Sequence, residues 1–335
     1  PMHTYILIDL NNLLHRAKHV TRGDASIKIG LSMHIAFSSI LSMWKRFEAS
    51  HVVICLDGRS WRREVYDNYK RSRRIAAAAK TVQEQAEDDE FNEAFNDLIK
   101  FLQEKTNVSV LKSPGLEADD LVARWIAVHP NSKHIIISSD SDFYQLLGDN
   151  VEIYNGITGM RITAGGVYND KDKNMEFSVK NDGKIKIGKP NPDFKPEPEW
   201  WEWAKFSKMM RGDAGDGIFT AYPKVRQTQL RKAYEDRRDR GYIWNNLMLQ
   251  TWEDHEGTIR RVLDCYNENR MLIDLTDLPD EICTLADTVI QESVQREKRP
   301  QIGIWFLRFC NRHQLVRIEQ NPNPYLEYLQ APYSE

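Results

Sequence analysis

The sequence predicts an α/β fold, a mostly parallel central sheet flanked by helices, followed by a mainly α C-terminal part. Three observations predict it. Short β-branched apolar runs alternate with helix-like stretches through the first half. Near residue 164 the text turns rich in Gly, Pro, Lys and Asp. From Trp200 onward it is helix-like throughout. At 335 residues the chain has room for about two domains, each with its own core.

Taken in order, Tyr5–Leu10 (YILIDL), His51–Asp57 (HVVICLD), Val108–Leu111 (VSVL), His134–Asp140 (HIIISSD) and Val151–Tyr154 (VEIY) are nearly continuous in apolar character. That suits strands buried on both faces, as in a parallel sheet. Ile27–Ser50, Glu90–Lys105 and Glu117–His129 have helical character and supply the crossovers. Further on, the alternating EFSVK and KIKIG flank Asn181-Asp182-Gly183, a tight-turn signal for one hairpin. The predicted division is an α/β core over 1–164, an exposed insertion and linker over 165–198, and a helical domain over 199–335. In the last, WNNLMLQTWED and IGIWFLRFC read as amphipathic core helices. Trp200, Trp201 and Trp203 cannot all face one core, so two are expected to pack and one to lie exposed.

The four cysteines, Cys55, Cys265, Cys283 and Cys310, are scattered, and no histidine pair completes a zinc set with them. They read as reduced thiols of a cytoplasmic protein. No apolar run approaches the roughly 18 residues that cross a bilayer, and no charged-then-apolar leader opens the sequence, so neither a membrane span nor secretion is expected. A net charge of −3 gives no global sign of a nucleic-acid partner. Charge is nevertheless segregated: Arg59–Arg74 is heavily basic with Trp61, Tyr66 and Tyr69 interleaved, and Glu84–Glu93 is heavily acidic. Such blocks suit a solvated face, and basic residues among aromatics also suit a phosphate backbone with stackable bases; the pattern alone leaves both open.

In an open α/β sheet, ligands gather beyond the carboxyl ends of the strands. Asp9, Asp57 and Asp140 lie at such ends, Asp142 follows two residues on, and Glu117, Asp119 and Asp120 open the helix after VSVL. One edge therefore collects seven carboxylates. A single strand-end acid is ordinarily a loop cap, but seven at one edge raise one another's pKa and destabilise the fold unless divalent cations neutralise them. All-oxygen ligation without His or Cys suits Mg²⁺ or Mn²⁺ rather than zinc. A further pair, Asp213 and Asp216, follows Gly212 in MMRGDAGDGIF. Alone, it is an ordinary turn between helices.

In sequence, LIDLNNLLHRA, LDGRSWRREVYDNYKRSRR, GLEADDLVA, ISSDSDFYQLL and MRGDAGDGI resemble the motif series of the 5′ nuclease, or flap endonuclease, superfamily. The chain looks most like the ribonuclease H subgroup of T-even bacteriophages, and KVRQT and ENRMLIDLTDLPDEI extend the likeness over nearly its whole length. The resemblance implies a PIN-like nuclease core with a helical arch at 59–90, and a helix-three-turn-helix at about 205–232 in the C-terminal domain. It implies metal-binding roles for Asp9, Asp57, Glu117, Asp119, Asp120, Asp140, Asp142, Asp213 and Asp216, the last two completing a more loosely held site. YKRSR looks like the arch motif, in which Lys70 and Arg73 reach the scissile phosphate and Tyr69 stacks on a terminal base. Lys70, Arg73, Asp140 and Asp142 are the implied catalytic residues; Arg16, Arg71, Lys224, Arg226, Arg231 and Lys232 are further implied nucleic-acid contacts. Glu84–Glu93 becomes the far side of the arch or a disordered bridge.

By this resemblance the chain is a structure-specific 5′-to-3′ exonuclease and flap endonuclease with ribonuclease H activity. It would remove RNA primers and 5′ flaps in DNA replication and leave 5′ phosphates, using two Mg²⁺ ions that Mn²⁺ can replace. The implied partners are duplex DNA or an RNA/DNA hybrid with a 5′ end, nick or flap, and a phage single-strand-binding protein or sliding clamp. The implied setting is a monomer in the cytoplasm of an infected bacterium. A PIN-type single-strand ribonuclease shares the strand-end acids but lacks the YKxxR arch and the second-domain Asp pair. A catalytically silent junction-binding protein has no need of every acid.

Overall fold

The computed structural model describes residues 2–334. The first half runs β1 (Thr4–Asp9), α1 (Leu10–Val20), α2 (Ala25–Phe47), β2 (His51–Cys55), α3 (Arg62–Val65), α4 (Arg71–Ala78), α5 (Val82–Lys105), β3 (Ser109–Leu111), α6 (Ala118–Val128), β4 (Lys133–Ile137) and β5 (Val151–Tyr154). These strands form a parallel sheet in the order β3-β2-β1-β4-β5. Their unbroken apolar character is explained by cover on both faces. Ile6, Ile8, Val52 and Ile54 enter one core with Met33 and Phe37 of α2. Tyr5, Leu7, Val53 and Cys55 enter the other with Leu121, Val122 and Trp125 of α6. Helix α2 is by length and composition apolar enough to span a membrane, yet its apolar side lines the first core. Because β1 has β2 on one side and β4 on the other, the winding reverses at β1, and a crevice opens past the carboxyl ends of β1 and β4.

The stretch expected as an exposed insertion instead continues the same sheet. β6 (Arg161–Thr163), β7 (Gly166–Tyr168), β8 (Asn174–Val179) and β9 (Ile185–Pro190) add four strands beyond β5, each antiparallel to its neighbour. The predicted hairpin turn lies between β8 and β9, with Gly183 at φ +82°. A side chain there would meet the Ala204 carbonyl at 2.7 Å, so only glycine fits.

The second half contains α7 (Trp200–Arg211), α8 (Gln227–Glu235), α9 (Tyr242–Met248), the hairpin β10 (Thr251–Glu253) and β11 (Ile259–Arg261), α10 (Val262–Ile273), α11 (Asp280–Val294), α12 (Ile302–Arg312), α13 (Val316–Gln320) and α14 (Asn323–Gln330). It is not the single helical domain expected over 199–335. Helices α7–α10 surround a third core of Trp203, Phe206, Met210, Leu230, Trp244 and Tyr266. Helix α11 instead packs Ala286 and Ile290 into the α6 side of the sheet. Helices α12 and α14 send Phe306, Phe309, Tyr328 and Leu329 into the α2 side, where Phe309 stacks on Phe101 with centroids 4.7 Å apart. WNNLMLQTWED divides between α9 and β10 rather than forming one helix, whereas IGIWFLRFC is α12. Trp200 and Trp203 are buried, and Trp201 is half-buried.

Candidate active site

β1 ends on Asp9, and α1 begins at the next residue. Asp140 stands three residues past β4, and Asp119 lies in the first turn of α6. One oxygen from each of these carboxylates lies within 4.8 Å of the others. Ser138 donates to Asp9 at 3.0 Å, and the Asp142 N–H donates to Asp140 at 3.0 Å. None of the three forms an ion pair among the described residues. Burial, with repulsion from Asp57 and Asp140, pushes Asp9 far above the usual carboxylate range. Burial, with Asp140 and Asp9, does the same to Asp119. Burial and Asp142 push Asp140 up to about 7. Such a pocket of mutually repelling, oxygen-only donors fits a hard divalent cation.

A second triad, Asp142, Asp213 and Asp216, meets the same 4.8 Å criterion. Here the protein supplies cations of its own. Lys208 pairs with Asp142 and, at 3.1 Å, with Asp213; Arg73 pairs with Asp216 at 2.9 Å. Burial alone would raise Asp213, but the Lys208 ammonium overrides it and holds the carboxyl below its ordinary value. Burial and Asp142 push Asp216 up to about 6. Lys208 is itself buried, which favours its neutral form, yet Asp142, Asp213 and Asp140 keep it protonated. This triad fits a second ion only in exchange with that ammonium. Asp119 of the first triad lines one small cleft together with Asp142, Asp213 and Asp216 of the second.

Of the remaining predicted ligands, Asp57 faces the first triad closely enough to raise Asp9, whereas Glu117 and Asp120 are held by other partners. Asp57 accepts the Ala118 N–H at 2.8 Å, capping α6 at the rim of the site. Asp120, fully buried, accepts the Glu117 N–H at 3.0 Å and pairs with Arg62 at 2.8 Å. Glu117 accepts from Ser60, Arg62, Tyr69 and Lys70. Burial would raise its pKa, but Arg62 and Lys70 hold it at about 2. A buried carboxylate with four donors is satisfied without an ion. In this structure Glu117 and Asp120 anchor the base of the arch.

That base is α3, α4 and the first turns of α5. Lys70 has φ +53°, a left-handed conformation rare for a residue with a side chain, and its N–H donates to the Asp216 carbonyl at 2.7 Å. Asn68 donates to the Gly217 carbonyl at 2.7 Å. A Cβ on Gly217, at φ +72°, would meet the Asn68 carbonyl at 2.2 Å, so the turn carrying Asp216 must close with glycine. Tyr69, expected to stack on a base, is buried with its hydroxyl on Glu117 at 2.8 Å; no face of it is free for a nucleotide. The acidic stretch is ordered: Thr81 and Glu84 form a capping box that starts α5 eight residues before the predicted Glu90. Asp88 pairs with Lys18 of α1 at 2.7 Å and with Lys80.

Arg16, Arg71, Lys224, Arg226 and Lys232 are exposed. The last three lie in or just before α8, which follows α7 and the tight Asp213–Gly217 turn. Arg231, also predicted as a contact, is tied to Glu197 at 2.9 Å and Glu235 at 3.3 Å and lies over Trp203. Sequence reasoning missed Arg62 and Lys208. Nothing distinguishes Arg62 within the basic block, although it is only 2% exposed and also donates to the Leu272 carbonyl at 2.7 Å. Lys208 did leave a sign: it sits between Phe206 and Met209 on a face of α7 otherwise committed to the third core.

A parallel sheet with acids past its strand ends, a basic helical segment at their side and a helix-turn-helix bearing two further acids is the layout of the 5′ nuclease superfamily. The family model for the 5′-3′ exonuclease N-terminal, resolvase-like domain matches residues 4–176. The chain belongs to this family of nucleases. The flap endonuclease Xni of Shewanella woodyi is 30% identical over 168 residues, 48% of this chain and 60% of the relative. Its counterpart in Shewanella loihica is 27% identical over 166 residues, 48% of this chain and 59% of the relative. The chain thus spans about 60% of the length of these curated relatives. Two solved structures share the fold at 20% identity. The flap endonuclease of bacteriophage T5, in a pseudo-enzyme-product complex with DNA and metal ions, has a TM-score of 0.57 over 93% of this chain and 100% of that one. The T5 5′-exonuclease with bound zinc ions has a TM-score of 0.56 over 94% and 99%.

Proposed function

We propose that the chain is a divalent-metal-dependent, structure-selective 5′ nuclease. It would act as 5′-to-3′ exonuclease and flap endonuclease on duplex DNA or RNA/DNA hybrid carrying a 5′ end, nick or flap. The observation that carries this reading is a pair of carboxylate triads, with Asp119 of the first lining the same cleft as all three acids of the second, and with Lys70 and Arg73 paired to Glu117 and Asp216 beside them. Mg²⁺, or Mn²⁺ in its place, held by Asp9, Asp119 and Asp140 and more loosely by Asp142, Asp213 and Asp216, would neutralise the scissile phosphate and acidify the attacking water.

The chain's own residues do the rest. Lys70, on leaving Glu117, and Arg73, on leaving Asp216, bring two cations to a phosphate whose negative charge grows in the pentacovalent transition state, which favours that state over the bound substrate. Lys208 lowers the repulsion that the second triad exerts on an approaching phosphodiester. Arg16, Arg71, Lys224, Arg226 and Lys232 hold backbone phosphates, fixing position and strand polarity without reading sequence. The product carries a 5′ phosphate. Primers and flaps left by replication have the required shape, and processing them would place the chain in the cytoplasm beside a single-strand-binding protein or sliding clamp, working as a monomer.

Cleavage of 5′-labelled flap, nicked and RNA/DNA substrates in Mg²⁺ and in EDTA tests the reading. Metal-dependent release of short 5′-phosphorylated products is expected. Cleavage restricted to unstructured RNA would replace it with a PIN-type single-strand ribonuclease, and tight junction binding without cleavage by a silent structural protein.

A further inference from the structure

Helix α1 turns Leu13, Leu14 and Ala17 into the core and leaves His15 and His19 exposed, one helical turn apart. Their Nε2 atoms share a hydrogen bond at 3.1 Å, with ring centroids 4.4 Å apart and planes at 82°, so an ion would take the place of the shared proton. Imidazole nitrogens bind Zn²⁺ at about 2.0–2.1 Å, which puts two of them about 2.9–3.3 Å apart on one ion, for ligand angles between square and tetrahedral. The observed separation falls inside that bite. The helix is fixed by its buried side, so the two side chains leave a rigid backbone one turn apart.

We propose that His15 and His19 form a two-nitrogen site for a borderline divalent ion such as Zn²⁺ on the outer face of α1, separate from the oxygen-only triads. The donor chemistry divides the two kinds of site: imidazole suits zinc and its borderline neighbours, whereas carboxylate-only pockets suit magnesium and manganese. A ligating histidine must be neutral. Partial burial, the second imidazole, Lys18, Arg16 and Arg73 all lower the pKa of His15, which favours the neutral ring that a ligand must be. Repulsion of an incoming dication by these cations is moderated because Lys18 is paired with Asp88 and Arg73 with Asp216. His15 lies six residues beyond Asp9, about 9 Å along the helix, so the site shares no ligand with the first triad. The ion's other positions stay open to water or to a phosphate oxygen.

The test is imidazole-nitrogen NMR of the full chain, with excess Mg²⁺ holding the carboxylate triads, during titration with zinc chloride. The Nε2 resonances of His15 and His19 are expected to move together to metal-ligated positions and to saturate near about one equivalent. In His19→Asn the His15 resonance should stay where it was, and likewise for His19 in His15→Asn. Asp140→Asn should leave the transition unchanged. Circular dichroism checks that the exposed substitutions preserve the helix. Resonances of both histidines that ignore zinc, or a His15 shift that persists undiminished in His19→Asn, would overturn the site.

Discussion

Asp140→Asn should stabilise the metal-free protein while abolishing cleavage. The fold holds the Asp140 carboxyl at about 7, against an ordinary value of 3.8. At about 1.4 kcal/mol for each tenfold change in proton affinity, ionising this group inside the fold costs about 4 kcal/mol. A carboxyl whose pKa rises on folding contributes its full stability below the unfolded value and loses it as pH rises through the folded one. The loss therefore runs from about pH 4 to beyond pH 7. Asparagine keeps the shape and can still accept the Asp142 N–H, but it carries no charge, so at pH 8 most of that 4 kcal/mol should return as an upper limit. The assay is urea denaturation followed by tryptophan fluorescence, in EDTA and then in Mg²⁺. Wild type should gain more from Mg²⁺ than the variant, because the ion relieves a repulsion that the variant lacks. A variant that is no more stable than wild type in EDTA, or gains equally from Mg²⁺, would refute the argument that this triad is an unneutralised ion pocket.

Lys70→Ala should slow single-turnover cleavage by about a hundredfold, the scale of one lost transition-state donor, with little change in substrate affinity; matched losses in both would make Lys70 a binding residue only. Arg62→Met should lower stability by about 3–5 kcal/mol in denaturant melts, because Asp120 would remain buried without its cation and Glu117 would keep only Lys70; a neutral effect would mean the pair tolerates exposure to water. His51 and His134 are held at about 4 by burial, against 6.5 when free. Their contribution is complete above pH 6.5 and is lost as pH falls towards 4, up to about 3 kcal/mol each; proton uptake on unfolding at pH 5, measured in saturating Mg²⁺ to keep the triads occupied, should exceed that at pH 7.

The strands of the parallel sheet were legible because burial on both faces leaves them no alternative to continuous apolar text, and the acids because a ligand edge follows from strand polarity. Spacing could not say which acids stay available. Asp9, Asp119 and Asp140 converge without an ion-pair partner among the described residues, whereas Glu117 and Asp120, in the same four-residue stretch as Asp119, turn to Arg62 across a gap of more than fifty residues. That choice belongs to tertiary packing. β6 and β7, three residues each, are too short for alternation to register, and their stability comes from the sheet they join. Helix α1 starts with no linker after Asp9, so Leu10, its first residue, reads as the end of the strand.

The return of α12 and α14 to the α2 side of the sheet bears on how this chain is made. The Trp44 indole meets Glu327, 283 residues later, and the Tyr5 hydroxyl meets the Ser334 carbonyl, 329 residues later. A ribosome will have translated β1 through β5 long before α12 and α14 emerge, so the α2 side of the sheet lacks part of its apolar cover until residues 302–330 have been made. A stop codon near residue 300 would therefore spare every carboxylate of the two triads and still leave Phe37 and Phe101 facing solvent, a product suited to a chaperone rather than to a substrate.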